Sequence, residues 1–301
     1  PKPPKAPKAA KPPKPPKNKP PRRKSGGGGG GGGGGKANLA WLWRSLALAV
    51  ALGVVLLLGA GLYIQQTFLK DVPPLPEREA LYAINRAPAI KFYDMHGVLI
   101  SSRGPKYGDR VTLDQLPAYV PRAFLAAEDR RFYYHGAVDP LAIIRAAREN
   151  WQAGRVVEGG STLSQQLAKG LFLTPEQTFK RKVQEAVLAM RLEKVLTKDE
   201  VLELYLNRIY LGAGAYGLDA AARTYFGKQP ADLTLAESAM LASFPKAPTR
   251  FANQVQTSKA KERQHYVLTQ MVEAGFISQT QADEAKNQEL IFAKDTPDTF
   301  T

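Results

Sequence analysis

The 301-residue sequence contains no cysteine. That absence excludes a disulfide framework, a thiol nucleophile and any metal site built on thiolates. It leaves the compartment open. Histidine is nearly as scarce: His96, His135 and His265 are scattered and lack metal-ligand spacing. Acidic residues are missing from residues 1–36, which hold 11 Lys/Arg. The formal charge of +15 is therefore mostly a property of this tail, since the remainder carries 31 basic against 27 acidic residues. The first residue is Pro1 rather than Met, so the numbering is expected to begin inside a longer gene product.

What is present in the tail cannot build a core. Lys-Pro-Pro repeats lead into ten glycines, Gly26 to Gly35. Proline favours polyproline II and glycine a flexible coil, so residues 1–40 are expected to be disordered. An apolar run from Leu46 to Ile64 follows, within a transmembrane helix expected over 41–66. Roughly 20 apolar residues suffice to cross the hydrocarbon layer. Trp41, Trp43 and Tyr63 fall where interfacial aromatics belong. Arg22, Arg23, Lys24, Lys36 and Arg44 all precede the run, which places the N-terminus in the cytoplasm and everything after Ile64 outside it. The run exceeds a signal-peptide core, and Gln65-Gln-Thr-Phe is a poor cleavage site. Membrane lipids, with their anionic headgroups, are the expected partner of the basic tail, ahead of nucleic acid.

Beyond the membrane segment, residues 67–112 read as a stalk and a short hairpin. Val72-Pro-Pro-Leu-Pro resists regular structure, and Ala89–Tyr93 and Val98–Ser101 alternate around a turn at Asp94–Gly97. From Pro121 the pattern is helical. Helix-start spellings recur at Thr174–Gln177 (with Pro175 at the first helical position), Thr197–Glu200, Thr234–Glu237 and Ser278–Gln281, and Gly275 reads as a stop. About 180 residues, 113–290, are enough for one mainly α-helical domain. Within that span, 113–256 is the expected catalytic part, and 257–301 the C-terminal helices and start of a linker.

Three blocks carry chemistry. Pro121–Asp129 is a short apolar helix that delivers Glu128 and Asp129 at its end, opening Glu-Asp-Arg-Arg-Phe-Tyr-Tyr-His (128–135). A carboxylate against apolar packing has its pKa raised and can serve as a base near neutral pH. A surface pair with Arg122, Arg130 or Arg131 is the competing account. The second block is Gly159-Gly-Ser-Thr-Leu-Ser-Gln-Gln-Leu-Ala-Lys169. Here Ser161 is expected to cap a helix over 162–172, and Gly159-Gly160 to allow close backbone approach to an anion at the helix start. An ordinary amphipathic helix with Leu163, Leu167 and Leu171 inward accounts for the leucines but not for Gln165-Gln166. In the third block, Arg181 and Lys182 lie four and three residues before Glu185, so they share a surface with it. Intrahelical salt bridging and a phosphate clamp both explain that spacing. The same helix, expected from Pro175, shows an apolar stripe of Phe179, Val183, Val187 and Met190.

In this order and spacing the blocks resemble glycosyltransferase family 51, the peptidoglycan polymerases, which occur alone or as the front half of class A penicillin-binding proteins. The resemblance continues through Lys198–Asn207, Tyr210–Gly217, Tyr225–Lys228 and Leu233–Ala242 and covers roughly residues 88–290. It implies a lysozyme-like α-helical fold with a small membrane-dipping lobe. It implies lipid II and a growing glycan strand as substrates, and leaves room for other cell-wall synthesis proteins as partners. By matched position, Glu128 is the general base on the acceptor hydroxyl. Lys169, Arg181 and Lys182 hold the departing pyrophosphate. Glu185 is a second catalytic carboxylate that organises the cations, assists departure or meets a divalent metal (Mg2+ or Mn2+); no cofactor is firmly implied. Asp129, Phe132, His135, Ser161, Thr162, Gln166 and Asn207 fall at substrate-binding positions.

The chain departs from the family pattern in three places. Ala137 and Gly170 stand where Gly and Asn are usual, and Gln177 stands where Arg is usual, with Lys180 expected to supply the missing charge. Ser243-Phe-Pro-Lys246 fits the Ser-x-x-Lys of transpeptidases but lacks their Ser-x-Asn and Lys-Thr-Gly partners, and Pro245 disfavours the helix it needs. It is assigned no role, and the chain is expected to be the front part of a bifunctional enzyme. A lysozyme-like hydrolase would need no phosphate clamp. An inactive membrane scaffold would need no base.

Overall fold

The computed structural model describes residues 35–83, 88, 90–97, 99–155, 159–174, 176, 178–252 and 257–293. The chain divides into two compact units, residues 1–60 and 61–301. In the first, helix α1 (Gly35–Ile64) carries the apolar run. It begins at Gly35, so residues 35–40 are helical rather than part of the expected tail; residues 1–34 lie outside the described residues. Continuing through a π-helical turn to Leu69, the helix is long and apolar enough to cross a membrane.

The second unit is mainly helical. Strands β1 (Ile90–Tyr93) and β2 (Leu99–Arg103) form the expected antiparallel hairpin. Its turn closes through Gly97 N–H to the Asp94 carbonyl at 3.1 Å, with Gly97 at φ +79°. Ala89 and Val98, the expected first strand residues, lie outside the described residues. A two-residue strand β3 (Lys106–Tyr107) pairs in parallel with β4 (Ala215–Tyr216). The helices follow as α2 (Tyr119–Glu128), α3 (Pro140–Ala153), α4 (Leu163–Phe172), α5 (Phe179–Val195), α6 (Lys198–Arg208), α7 (Leu218–Phe226), α8 (Leu235–Ala242), α9 (Pro248–Ala252), α10 (Ser258–Glu273) and α11 (Gln279–Asn287).

The helix starts follow local chemistry. Thr197/Glu200, Thr234/Glu237 and Ser278/Gln281 each close a reciprocal capping box. Gly275, at φ +70°, ends α10, and the Phe276 N–H reaches back to the Met271 carbonyl at 2.9 Å. Two starts differ from expectation. Helix α4 is capped by Thr162 and not by Ser161, because Gln165 closes the box with Thr162. Helix α5 is capped by Thr178, whose hydroxyl accepts from Arg181 N–H at 3.1 Å. It therefore starts at Phe179 and not at Pro175, which lies outside the described residues together with Gln177.

The core gathers α2, α4, α6, α8 and α10 around Phe124, Leu163, Leu171, Leu192, Leu204 and Met271, all fully buried. Helix α5 sits on this core in a different rotation from the one its apolar stripe predicts. Gln184, Glu185, Leu188, Ala189 and Leu192 face inward, while Phe179 is 76% exposed and Met190 46% exposed. Leu188 and Leu192 supply the apolar anchor, and that rotation carries Glu185 inward toward its cations. The α6 helix is tied to the loop before α2 by Asn207, whose amide bonds Val111 N–H and C=O and the Glu203 carbonyl at 2.7–2.8 Å.

Of the Gly159-Gly160 pair, only Gly160 serves packing. A Cβ on Gly160 would lie 2.9 Å from the Ile143 Cα of α3, whereas one on Gly159 would meet nothing within 4 Å. Gly160→Ala is therefore expected to destabilise the fold by about 1–3 kcal/mol through overpacking. Gly159→Ala is expected to leave the melting temperature nearly unchanged. Thermal unfolding of the two variants side by side checks the contrast, and equal melting temperatures would refute it.

Candidate active site

Glu128 is the last residue of α2, brought to the junction of α2, α4 and α10 by the buried run Ala123–Ala126. Its Oε2 accepts from Gln166 Nε2 at 2.8 Å. Burial holds its carboxyl above the ordinary value of 4.5. The Gln166 hydrogen bond and the charges of Arg263 and Lys246 pull the other way, and Asp129 adds to the rise. The surface-pair account is not realised: Arg130 pairs instead with Glu273 at 2.9 Å.

Asp129 braces the base from below. One oxygen meets His135 Nε2 at 2.7 Å and the other accepts the Leu163 N–H at 3.0 Å, at the first turn of α4. Thr162 caps the same helix and donates to the Ala137 carbonyl at 2.6 Å. Thus Asp129, His135 and Thr162 lock the first block onto the second. Phe132 is buried in the core, and Lys198 Nζ lies 4.4 Å above its ring. Asn207 spends its amide within the protein. Of the residues matched to substrate-binding positions, these five have structural partners and set the geometry of the others.

The double glutamine now has an explanation. Gln165 closes the cap of α4, and Gln166, one residue on, turns toward Glu128. Lys169 follows Gln166 by three residues on the same face and is exposed. Freed from capping, the Ser161 hydroxyl accepts from Lys182 Nζ. Lys182 Nζ also meets Glu185 Oε2 at 2.8 Å, and Arg181 meets Glu185 Oε1 at 2.7 Å. Glu185, with 3% of its side chain exposed, thus sits beneath two cations, and the Lys182 side chain remains 45% exposed. The salt bridging is realised: the carboxylate holds both cations, of which Lys182 stays partly open to solvent and Arg181 is largely covered.

Three nearby residues escaped sequence reasoning. Lys246, set aside in the Ser-x-x-Lys match, and Arg263 on α10 both bear electrostatically on Glu128. Tyr205, fully buried on α6, has a hydroxyl with no hydrogen-bond partner among the described residues. The one local signal was a cation isolated between Pro245 and Pro248. Ser243 itself is buried and donates to the Met240 carbonyl at 2.7 Å, so it is no nucleophile. Among the departures, Ala137 adopts no positive φ, and Gly170 faces open space. Lys180 does not supply the charge expected in place of an arginine at Gln177, because it pairs with Asp71 at 2.6 Å.

Glu185 is already neutralised by Arg181 and Lys182, and no group of three or more His, Asp or Glu gathers among the described residues.

The pH response follows from the Gln166 contact. A hydrogen bond to a carboxylate favours its ionised form. Gln166→Leu removes it, so the Glu128 pKa should rise further and the acid limb of the rate profile should move to higher pH. Rates measured across pH check this; a limb that stays in place or moves down would refute it.

A carboxyl group of raised pKa on α2 and a Ser-Lys-Arg-Glu cluster between the start of α4 and the first turns of α5 are the chemical features of this site. The transglycosylase family model matches residues 96–272, well over half of the chain, and the chain belongs to that family. A second model, the penicillin-binding protein N-terminus, matches residues 2–95. Penicillin-binding protein 1A of Aquifex aeolicus (strain VF5) is 43% identical over 251 residues, 83% of this chain and 34% of that protein. Penicillin-binding protein 1A of Escherichia coli (strain K12) is 44% identical over 236 residues, 78% of this chain and 28% of that protein. The chain thus spans about a third of the length of these relatives. A crystal structure of penicillin-binding protein 1A from Haemophilus influenzae aligns with 68% of this chain and 21% of its own, at 26% identity and a TM-score of 0.42. Family membership rests on the sequence matches.

Proposed function

We propose that this chain is a peptidoglycan glycosyltransferase that polymerises lipid II into β-1,4 glycan strands, as the front part of a bifunctional penicillin-binding protein. The observation that carries the reading is Glu128, half-buried, oriented by Gln166 and flanked across α4 by the Ser161–Lys182–Glu185–Arg181 cluster. Glu128 takes the proton from the acceptor GlcNAc 4-hydroxyl. That oxygen attacks the anomeric carbon of the growing chain's MurNAc with inversion, and the bond to the pyrophosphate oxygen breaks. Lys169, Arg181 and Lys182 stabilise the charge that develops on undecaprenyl pyrophosphate as it leaves. Glu185 holds the two α5 cations in place.

Apolar side chains on α3 support contact with the bilayer. Leu141 and Ile144 are exposed, and Trp151 is 88% exposed. With α1 as anchor and the N-terminus cytoplasmic, the catalytic unit lies on the outer side of the membrane, where a lipid-linked sugar would present its headgroup. Helices α10 and α11 pack on α8 and bring Arg263 to the base, so the catalytic unit extends through them.

Product analysis tests this reading. Digestion of the product by a muramidase should yield disaccharide units, and one undecaprenyl pyrophosphate should appear per bond formed. Shortening of preformed glycan without new bonds would favour the hydrolase instead.

A further inference from the structure

The stalk does more than join the membrane segment to the catalytic unit. From Phe68 to Tyr82 it runs along α5 and on to α6. The Phe68 ring meets the Phe179 ring edge-on at 5.9 Å. Asp71 pairs with Lys180 at 2.6 Å, and the Pro73 carbonyl accepts from Arg191 at 3.3 Å. Arg78 then reaches both the Val195 carbonyl at 2.9 Å and Glu200 at 2.8 Å. Leu81 anchors the end of the stalk with 0% exposure.

The first turn of α5 is where these contacts matter. Phe179 and Lys180 precede Arg181 and Lys182 directly. At 3.6 residues per turn, Lys180 and Lys182 stand about 200° apart around the helix. One flank of that turn therefore faces the stalk and the other faces Ser161. Phe179, despite its exposure, meets the Phe68 ring of the stalk, which explains an apolar residue turned away from the core.

We propose that Phe68 and Asp71 are positioning residues, acting through Phe179 and Lys180 to hold the first turn of α5 so that Lys182 stays registered on Ser161 and Glu185. This rests on the clamp reading above and adds a task for the membrane-proximal stalk. A stalk pulled away from α5 would loosen the grip on pyrophosphate without touching the base.

Charge exchange tests it in the full chain in detergent micelles. Lys180→Asp sets two carboxylates together, Asp71→Lys sets two ammonium groups together, and the double variant restores the pair reversed. Each single variant should speed amide hydrogen exchange over residues 179–185 and weaken binding of a polyprenyl pyrophosphate by about fivefold, with the double variant returning both toward wild type. The acid limb of the rate profile, set by Glu128, should not move. Unchanged exchange in the single variants, or a double variant as impaired as the singles combined, would overturn the proposal. Faster exchange with unchanged pyrophosphate affinity would overturn it as well, since the stalk would then hold the helix without setting the clamp. Lys182→Ala, run alongside, separates the two ideas: if it leaves pyrophosphate affinity unchanged the clamp reading fails, whereas the exchange data still decide whether the stalk holds α5.

Discussion

Glu128→Gln is expected to abolish polymerisation, lowering the rate by about 10²–10⁴, the range a positioned general base contributes. The amide keeps the size of the carboxylate but cannot take a proton. The same change should not weaken the fold. Burial raises the Glu128 carboxyl in the folded state, so the folded protein binds that proton more tightly than the unfolded chain does. The stability cost is absent at pH values below the unfolded pKa. It grows as pH rises from the unfolded value and is fully present only above the folded value. Glu128→Gln should therefore melt at the same temperature as wild type or higher near pH 7.5, with the difference shrinking in acid. A variant that is inactive and equally or more stable is the signature of a buried functional charge. Retention of substantial activity would remove Glu128 from the role of base, and a lower melting temperature at neutral pH would contradict the burial argument.

Lys182→Ala carries the second large effect. Its ammonium group bridges Ser161 and Glu185, and its side chain remains 45% exposed. Removing it takes away a charge that the proposed clamp directs at the departing pyrophosphate and leaves Glu185 with Arg181 alone. Removal of one preorganised stabilising group typically costs about 10²–10³ in rate. The loss should appear in the turnover rate and in affinity for a pyrophosphate-bearing donor analogue, with the acid limb from Glu128 unmoved. Lys182→Arg should recover part of the activity, because charge is retained while the fork fits Ser161 less well. Unchanged donor-analogue affinity in Lys182→Ala would count against the clamp.

Much of this site could be read locally, because its blocks are written with local chemistry. A short apolar helix ending in Glu128, a Thr-capped helix start and a basic turn four residues before Glu185 each announce themselves by spacing. The capping boxes at Thr197, Thr234 and Ser278 follow the same logic, since their partners lie three residues away. What could not be read locally depends on partners far along the chain. The stripe Phe179, Val183, Val187, Met190 and the stripe Gln184, Leu188, Leu192 both have helical period, and nothing within α5 chooses between them. Packing against α4 and the ion pairs of Glu185 decide it, while Phe68, more than a hundred residues earlier, receives the displaced Phe179. Lys180 illustrates the same point: its charge looked available to the site until Asp71 of the stalk claimed it. Arg263 comes near Glu128 because α10 packs on α2, and Lys246, in the loop after α8, because α8 packs on α2. Ser161 and Thr162 show how narrow the margin is, since a cap misplaced by one residue hid the hydroxyl that meets Lys182.

The central claim is that Glu128 and the α5 cations join lipid II units. It is tested most directly by incubating the membrane-anchored chain with lipid II alone, beside its Glu128→Gln variant, and separating the products by length. The account predicts long glycan strands from the wild-type chain and unreacted lipid II from the variant. Strands of equal length from both, or no strands from the wild-type chain, would contradict it.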